Sequence, residues 1–173
     1  VDISKHDITN GKELPDAKLE IRDTDGNLVK GWTSGKVPHT VRGLELEKEY
    51  TLTEKRAPDG YAEAESIVFK LVQEGTEQVN EVYVKSDGDW SKMNGSTIVM
   101  QDAPVLDIDK TDIAGNLLPG ATLTIRDAND EVVDTWITDY KTHRVPISDQ
   151  FIKLSGETKE YIYTLTEDAA PAG

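Results

Sequence analysis

The chain contains no cysteine. That excludes disulfides, zinc–thiolate sites and cysteine nucleophiles together, and leaves any covalent reinforcement to another chemistry. Basic residues are also short: 33 acids against 19 bases leave a net charge of −14. With neither a basic patch nor a basic helix, nucleic acid and anionic membrane are excluded as main partners. The charge fits a soluble, self-repelling surface protein. No run of about 18 apolar residues occurs, so no membrane-spanning segment is expected. A signal peptide and a sorting signal are missing too, so the sequence reads as the mature or excised part of something longer. His6, His39 and His143 are scattered, without metal-ligand spacing or a companion serine, which argues against a metal site or a hydrolase; no cofactor is expected.

What the chain does have is alternation. Helical periodicity is absent, and short strands separated by turn residues predict an all-β protein built as a β-sandwich. Strands are expected over Val1–Lys5, Ala17–Arg22, Leu28–Trp32, part of Val37–Leu46, Tyr50–Glu54, Ser66–Val72, Gln78–Val84 and Ile98–Asp102, with Trp90–Ser96 crossing to the last. Three strands end oddly. Val1 and Ile3 share a face with Lys5, Tyr50 and Leu52 with Glu54, and Ile98 and Met100 with Asp102. One lysine and two acids therefore continue apolar rows into the interior, where an unpaired charge costs several kcal/mol or is neutralised. The three side chains are expected to meet, and Lys5 to become joined to Asp102. A lysine that snorkels to solvent, or a buried ion pair without a bond, would share the same alternation.

The chain repeats itself. Leu14-Pro15-Asp16-Ala17-Lys18-Leu19-Glu20-Ile21-Arg22-Asp23 matches Leu118-Pro119-Gly120-Ala121-Thr122-Leu123-Thr124-Ile125-Arg126-Asp127, Trp32 matches Trp136, and Tyr50–Glu54 returns as Tyr163–Glu167. Lys5 has its counterpart in Lys110, placed by parity on a strand with Leu106 and Ile108. Two tandem domains follow, residues 1–103 and 104–173. An insertion around Tyr140–Thr158 is expected in the second. That copy stops soon after its glutamate strand and offers no counterpart to Asp102, so it reads as incomplete, lacking its C-terminal strands. Trp32 and Trp136 are expected to pack in or near the core. Asp23-Thr24-Asp25-Gly26-Asn27 is expected as a hairpin turn rather than a calcium loop.

Lys5-His6-Asp7, Gly11–Ala17, Tyr50–Glu54, Ala57-Pro58-Asp59-Gly60-Tyr61 and Ile98–Ala103, in this order, resemble the Cna B-type domains, the isopeptide-forming, immunoglobulin-like modules of Gram-positive pilins and adhesins. The last segment is similar to the peptide split from such a domain to make the Spy tag–catcher pair. The resemblance implies a spontaneous lysine–aspartate or lysine–asparagine bond assisted by a buried glutamate. Carried over by residue, Lys5 is the nucleophile, Asp102 the electrophile and Glu54 the proton shuttle. Lys110 and Glu167 hold the first and third roles in the second copy, whose electrophile stays unidentified.

The chemistry such a bond requires is definite. The amine attacks when neutral, the carboxyl must be protonated to be an electrophile, and fixed contact supplies the effective concentration. By analogy with disulfide loops, closing nearly a whole domain stabilises it by roughly 4–5 kcal/mol. The reaction occurs once per molecule, so no enzyme in the usual sense is expected. The expected role is a structural stalk module of a bacterial cell-surface adhesin or pilin, cell wall-anchored or secreted, with neighbouring pilin or adhesin domains or a host protein as partners. The alternative is a binding module whose second domain captures a complementary strand, covalently if that strand carries Asp or Asn.

Overall fold

A computed structural model of the chain describes residues 1–74, 80–146, 153–155, 158–160 and 162–171. The chain divides into two compact units, Val1–Ala103 and Pro104–Gly173. Both are built from strands, and among the described residues no helix is long and apolar enough to cross a membrane.

In the first unit the strands are β1 (Asp2–Asp7), β2 (Lys18–Asp23), β3 (Leu28–Thr33), β4 (His39–Thr40), β5 (Tyr50–Arg56), β6 (Ile67–Gln73), β7 (Asn80–Ser86), β8 (Asp89–Lys92) and β9 (Thr97–Asp102). They form a small sheet in the order β4-β1-β9 and a larger one in the order β3-β2-β5-β6-β7-β8. Alternation decides what lies between them. Ile3, Ile98 and Met100 face inward from the small sheet, and Leu19, Ile21, Leu52, Phe69, Leu71 and Val82 from the larger one, all buried in a single core. Such two-layer packing is how an antiparallel sheet hides its apolar face. The first and last strands are neighbours: β1 and β9 run parallel, with Ile3 opposite Ile98 and Lys5 opposite Met100.

The expected strands are present with modest changes at their ends. Between Val37 and Leu46 only His39 and Thr40 pair as a strand. The stretch from Trp90, read as a crossing, begins instead inside β8, which hairpins onto β7. Asp87 and Gly88 make that hairpin possible by taking φ values of 52° and 93°, conformations that Asp tolerates and Gly adopts freely. Part of the expected Gln78–Val84 strand lies outside the described residues; its remainder falls in β7.

The second unit contains β10 (Val105–Ile108), β11 (Thr122–Arg126), β12 (Val132–Ile137), β13 (His143–Pro146), β14 (Lys153–Ser155), β15 (Thr158–Glu160) and β16 (Thr164–Ala169). It repeats the first unit at the level of register. Leu19 faces Trp32 across β2–β3, and Leu123 faces Trp136 across β11–β12. Leu19 faces Glu54 across β2–β5, and Leu123 faces Glu167 across β11–β16. Each glutamate strand carries an irregularity at the same place, just after the glutamate, where Lys55 is left out of the pairing of Lys18 and Leu19 in one unit and Asp168 out of that of Thr122 and Leu123 in the other. Bulges of this kind re-aim the side chains beside them. The expected insertion includes β14 and β15, which pair with each other; much of the rest of it lies outside the described residues.

Candidate functional site

Lys5, Glu54 and Asp102 come together in the core of the first unit. Each reaches it because its strand alternates, so the residue two places after a core aliphatic must also face inward. Lys5 lies on β1, Asp102 on the adjacent β9, and Glu54 on β5 of the facing sheet, so the cluster bridges both layers. Burial is nearly complete: Lys5 is 2% exposed, Glu54 4% and Asp102 0%. Lys5 is opposite Met100, not Asp102. Its long side chain therefore runs diagonally along the face, and its Nζ donates a hydrogen bond to Asp102 Oδ1. The same Nζ is 3.4 Å from Glu54 Oε1.

The cluster holds one amine and two carboxyls, and its hydrogen bonding is one proton short. Glu54 Oε2 accepts the Ala64 N–H at 2.8 Å. Glu54 Oε1 and Asp102 Oδ2 are buried and accept no hydrogen bond. A single proton held between the two carboxyls would provide the missing donor, and the electrostatics favour it. Burial raises the Glu54 carboxyl to about 7; the neighbouring Asp102 carboxyl adds to the rise, while the Ala64 N–H and the Lys5 charge oppose it. With Glu54 protonated, the lysine and aspartate balance and the site is neutral overall. Losing that proton would leave a net negative charge in a dry core, which is costly.

Side chains and backbone that alternation did not single out complete the site. The segment after β5 turns at Pro58–Tyr61, where the Tyr61 N–H bonds to the Pro58 carbonyl at 3.2 Å. Gly60 sits at φ 85°, a conformation that favours glycine at the third position of such a turn. Beyond the turn the Tyr61 hydroxyl donates to Asp7 Oδ2 at 2.9 Å, and the Ala62 N–H bonds to the Ala103 carbonyl at 2.9 Å. On the other side of Lys5, the Glu13 carboxylate accepts the Ser4 hydroxyl and, at 3.3 Å, the Lys5 N–H. Side chain-to-backbone contacts of this kind have no periodic signature. Sequence motifs marked the Ala57–Tyr61 stretch without assigning it a contact.

The second unit also brings its expected residues together. Lys110 Nζ is 3.1 Å from Glu167 Oε2, but the side chains are 29% and 34% exposed. Lys110 does not lie on a strand as parity placed it; β10 ends at Ile108. Among the described residues Lys110 pairs with no carboxylate other than Glu167.

Both tryptophans are half-buried, and Trp32 packs against the core of the first unit, near the core as expected. Trp32 stacks on His39, with ring centroids 4.7 Å apart, and Trp136 stacks on His143 at 3.9 Å. The common spacing of Trp32 to His39 and Trp136 to His143 was readable in the repeat. Asp23 serves as a turn cap, its Oδ1 accepting the N–H groups of Asp25 at 3.1 Å and Asn27 at 2.9 Å.

Comparison with curated proteins returns no match. Among solved structures, the chain is similar to the Bacillus anthracis TIE protein at 22% identity and TM-score 0.35, over 98% of this chain and 31% of that one. It is similar to BcpA, the major pilin subunit of Bacillus cereus, at 13% identity and TM-score 0.33, covering 99% of this chain and 88% of that one. The shaft pilin SpaA from Lactobacillus rhamnosus GG is similar at 10% identity and TM-score 0.38, with 99% and 96% covered. The chain thus spans under a third of the TIE protein's length. Residues 1–85 match the SpaA family, described as a prealbumin-like fold domain. That match falls within the first unit, Val1–Ala103, which thus resembles the SpaA-type prealbumin-like domains, in line with the family its motifs resemble.

Proposed function

We propose that the chain is a structural module of a Gram-positive cell-surface pilin or adhesin, whose first domain locks itself by an isopeptide bond between Lys5 and Asp102. The observation that carries this reading is the buried trio itself: an amine already hydrogen-bonded to one carboxyl, beside a second carboxyl that holds a proton up to about pH 7. A proton moves from the Lys5 ammonium to the Asp102 carboxylate, leaving a neutral amine and a carboxylic acid. Protonated Glu54 hydrogen-bonds the Asp102 carboxyl and polarises its carbonyl. Nζ adds to the carbonyl carbon, Glu54 relays protons from nitrogen to the departing hydroxyl, and the C–O bond breaks. One amide forms, one water leaves, and Glu54 recovers its proton. Contact held by the fold replaces the concentration that free reactants lack.

The position of the bond suits a module under tension. β1 and β9 are parallel neighbours at the two ends of the domain, so pulling on Val1 and Ala103 shears one past the other. A Lys5–Asp102 link carries that force between the strands and shields the residues between them. Partners would be neighbouring pilin or adhesin domains, or a host protein. The test is the intact mass of the denatured chain. The wild type is expected to be one water lighter than its sequence, and a Lys5→Arg variant to have its full mass; a wild type of full mass would overturn the proposal.

A second reading rests on Lys110 and Glu167, which meet at 3.1 Å while staying partly exposed. A strand bearing Asp or Asn, from the same or another chain, would bury the pair and offer Lys110 an electrophile. A second loss of water for Asp, or a loss of ammonia for Asn, or a covalent adduct through Lys110, is the expected mark of that event.

A further inference from the structure

We propose that Tyr61 is a positioning residue for the Lys5–Asp102 reaction, anchoring the Ala57–Ala64 segment as a strap that holds the Ala64 N–H on the Glu54 carboxylate. The inference rests on the isopeptide reading and adds to it a part of the machinery outside the trio. The strap touches the neighbourhood of every reacting group. Its Tyr61 hydroxyl reaches Asp7, two residues beyond Lys5 on β1, at 2.9 Å. The Ala62 N–H reaches the carbonyl of Ala103, the residue after Asp102, at 2.9 Å. The Ala64 N–H reaches Glu54 itself at 2.8 Å. Three elements that alternation alone would merely bring close are thereby held in one frame.

The anchor is rigid. Asp7 is 7% exposed, and its carboxylate is already held by the Thr9 N–H at 2.7 Å, the Thr9 hydroxyl at 2.6 Å and the Asn10 side-chain amide at 2.7 Å. Burial works against its ionised form, yet these donors together with Tyr61 keep its carboxyl below the usual range. Tyr61 therefore binds a fixed, ionised acceptor, and charge-assisted hydrogen bonds are the stronger kind. The groups facing Glu54 are Lys5 from β1, Asp102 from β9 and the Ala64 N–H from the strap. Of these, the N–H is the one the strap controls. It favours the ionised carboxylate, so it tunes how readily Glu54 gives up its proton as well as where it points.

The experiment uses the full chain, produced unfolded so that Lys5 is unreacted. Refolding is started by dilution at a series of pH values, samples are quenched in acid, and the loss of water is followed by intact mass. Tryptophan fluorescence times folding separately. In the wild type the rate should fall as pH rises through about 7, where Glu54 loses its proton. Tyr61→Phe should fold normally, form the bond about three- to tenfold more slowly, the range that one hydrogen bond commands, and move the falling limb to higher pH. Asp7→Asn, which loses the charge and sets its NH2 against donors that the carboxylate accepts, and Asp7→Ala should both move the profile in the direction of Tyr61→Phe. A Tyr61→Phe profile identical to wild type, or slowed without displacement of the limb, overturns the strap and leaves the isopeptide reading standing. A wild type that never loses water overturns both.

Discussion

The two units each bring a lysine to a glutamate held at the same register, and make different sites of the pair. Leu19 faces Glu54 in the first and Leu123 faces Glu167 in the second. The lysine–glutamate distances are alike, 3.4 Å and 3.1 Å. Surroundings separate them. In the first unit β6 pairs with β5 and β9 with β1, and Leu52 is 0% exposed beside Glu54. Among the described residues of the second unit, β16 pairs only with β11 and β10 only with β13, and Leu165 is 50% exposed beside Glu167. Strand pairing is enough to bring an amine and a carboxyl into contact. Desolvation, which raises Glu54 to about 7, goes with the strands that pair beside β5 and β1, and β9 also supplies Asp102. Proximity is a local property of the repeat, whereas burial belongs to the closed domain.

The sharpest way to break this comparison is to remove the electrophile. Asp102→Ala should abolish the bond and lower the stability of the first unit by at least about 4–5 kcal/mol, the loop-closure term for a link of this span, because Lys5 is also left buried without its acceptor. Chemical denaturation would measure it. An unchanged transition would mean that the closed domain owes nothing to the link. Next is Glu54→Gln, which preserves shape but cannot shuttle protons. It should slow bond formation by about a hundredfold or more, read from the mass time course after refolding. The matching change in the second unit, Glu167→Gln, should leave the loss of water unchanged and shift stability by less than about 1 kcal/mol, as for exposed ion pairs. A large effect there would show that the second pair is buried in solution.

The stacked tryptophan–histidine pairs provide the smallest and most selective contrast. His39 lies near Lys30, while His143 Nε2 is 2.7 Å from Asp134 Oδ2. Lys30 and Asp134 occupy equivalent places, opposite Ile21 and Ile125. Burial and then the Lys30 charge depress the His39 imidazole below its ordinary 6.5. The unfolded chain therefore takes up its proton at higher pH than the folded one. The contribution of neutral His39 is present above about 6.5 and lost as pH falls through the folded-state value. A His39→Gln variant should lose this part of the acid sensitivity, checked by thermal melts from pH 7.5 to 5 (about the range over which an ordinary histidine titrates).

Alternation made much of this legible. Period-two patterns placed Lys5, Glu54 and Asp102 on inward faces, and the repeat of Leu14–Asp23 at Leu118–Asp127 marked the second copy. The small strands were less visible: β4 is only His39–Thr40, and β8 carries a half-buried Trp90 between exposed neighbours, so neither has an apolar row to read. The strap was not legible as a positioning device, because the Ala62 and Ala64 contacts use backbone N–H groups that every non-proline residue possesses. The partial exposure of Lys110 and Glu167 has no period-two signature either. Parity predicts which way a side chain points, but what covers it depends on strands distant in sequence.

Fragmentation of the branched peptide from a digest of the denatured protein tests the central claim most directly. The account predicts one peptide in which the Lys5 side chain is joined to the Asp102 side chain with loss of a single water. Separate linear peptides carrying an unmodified Lys5 and an unmodified Asp102, from protein folded at neutral pH, would contradict it.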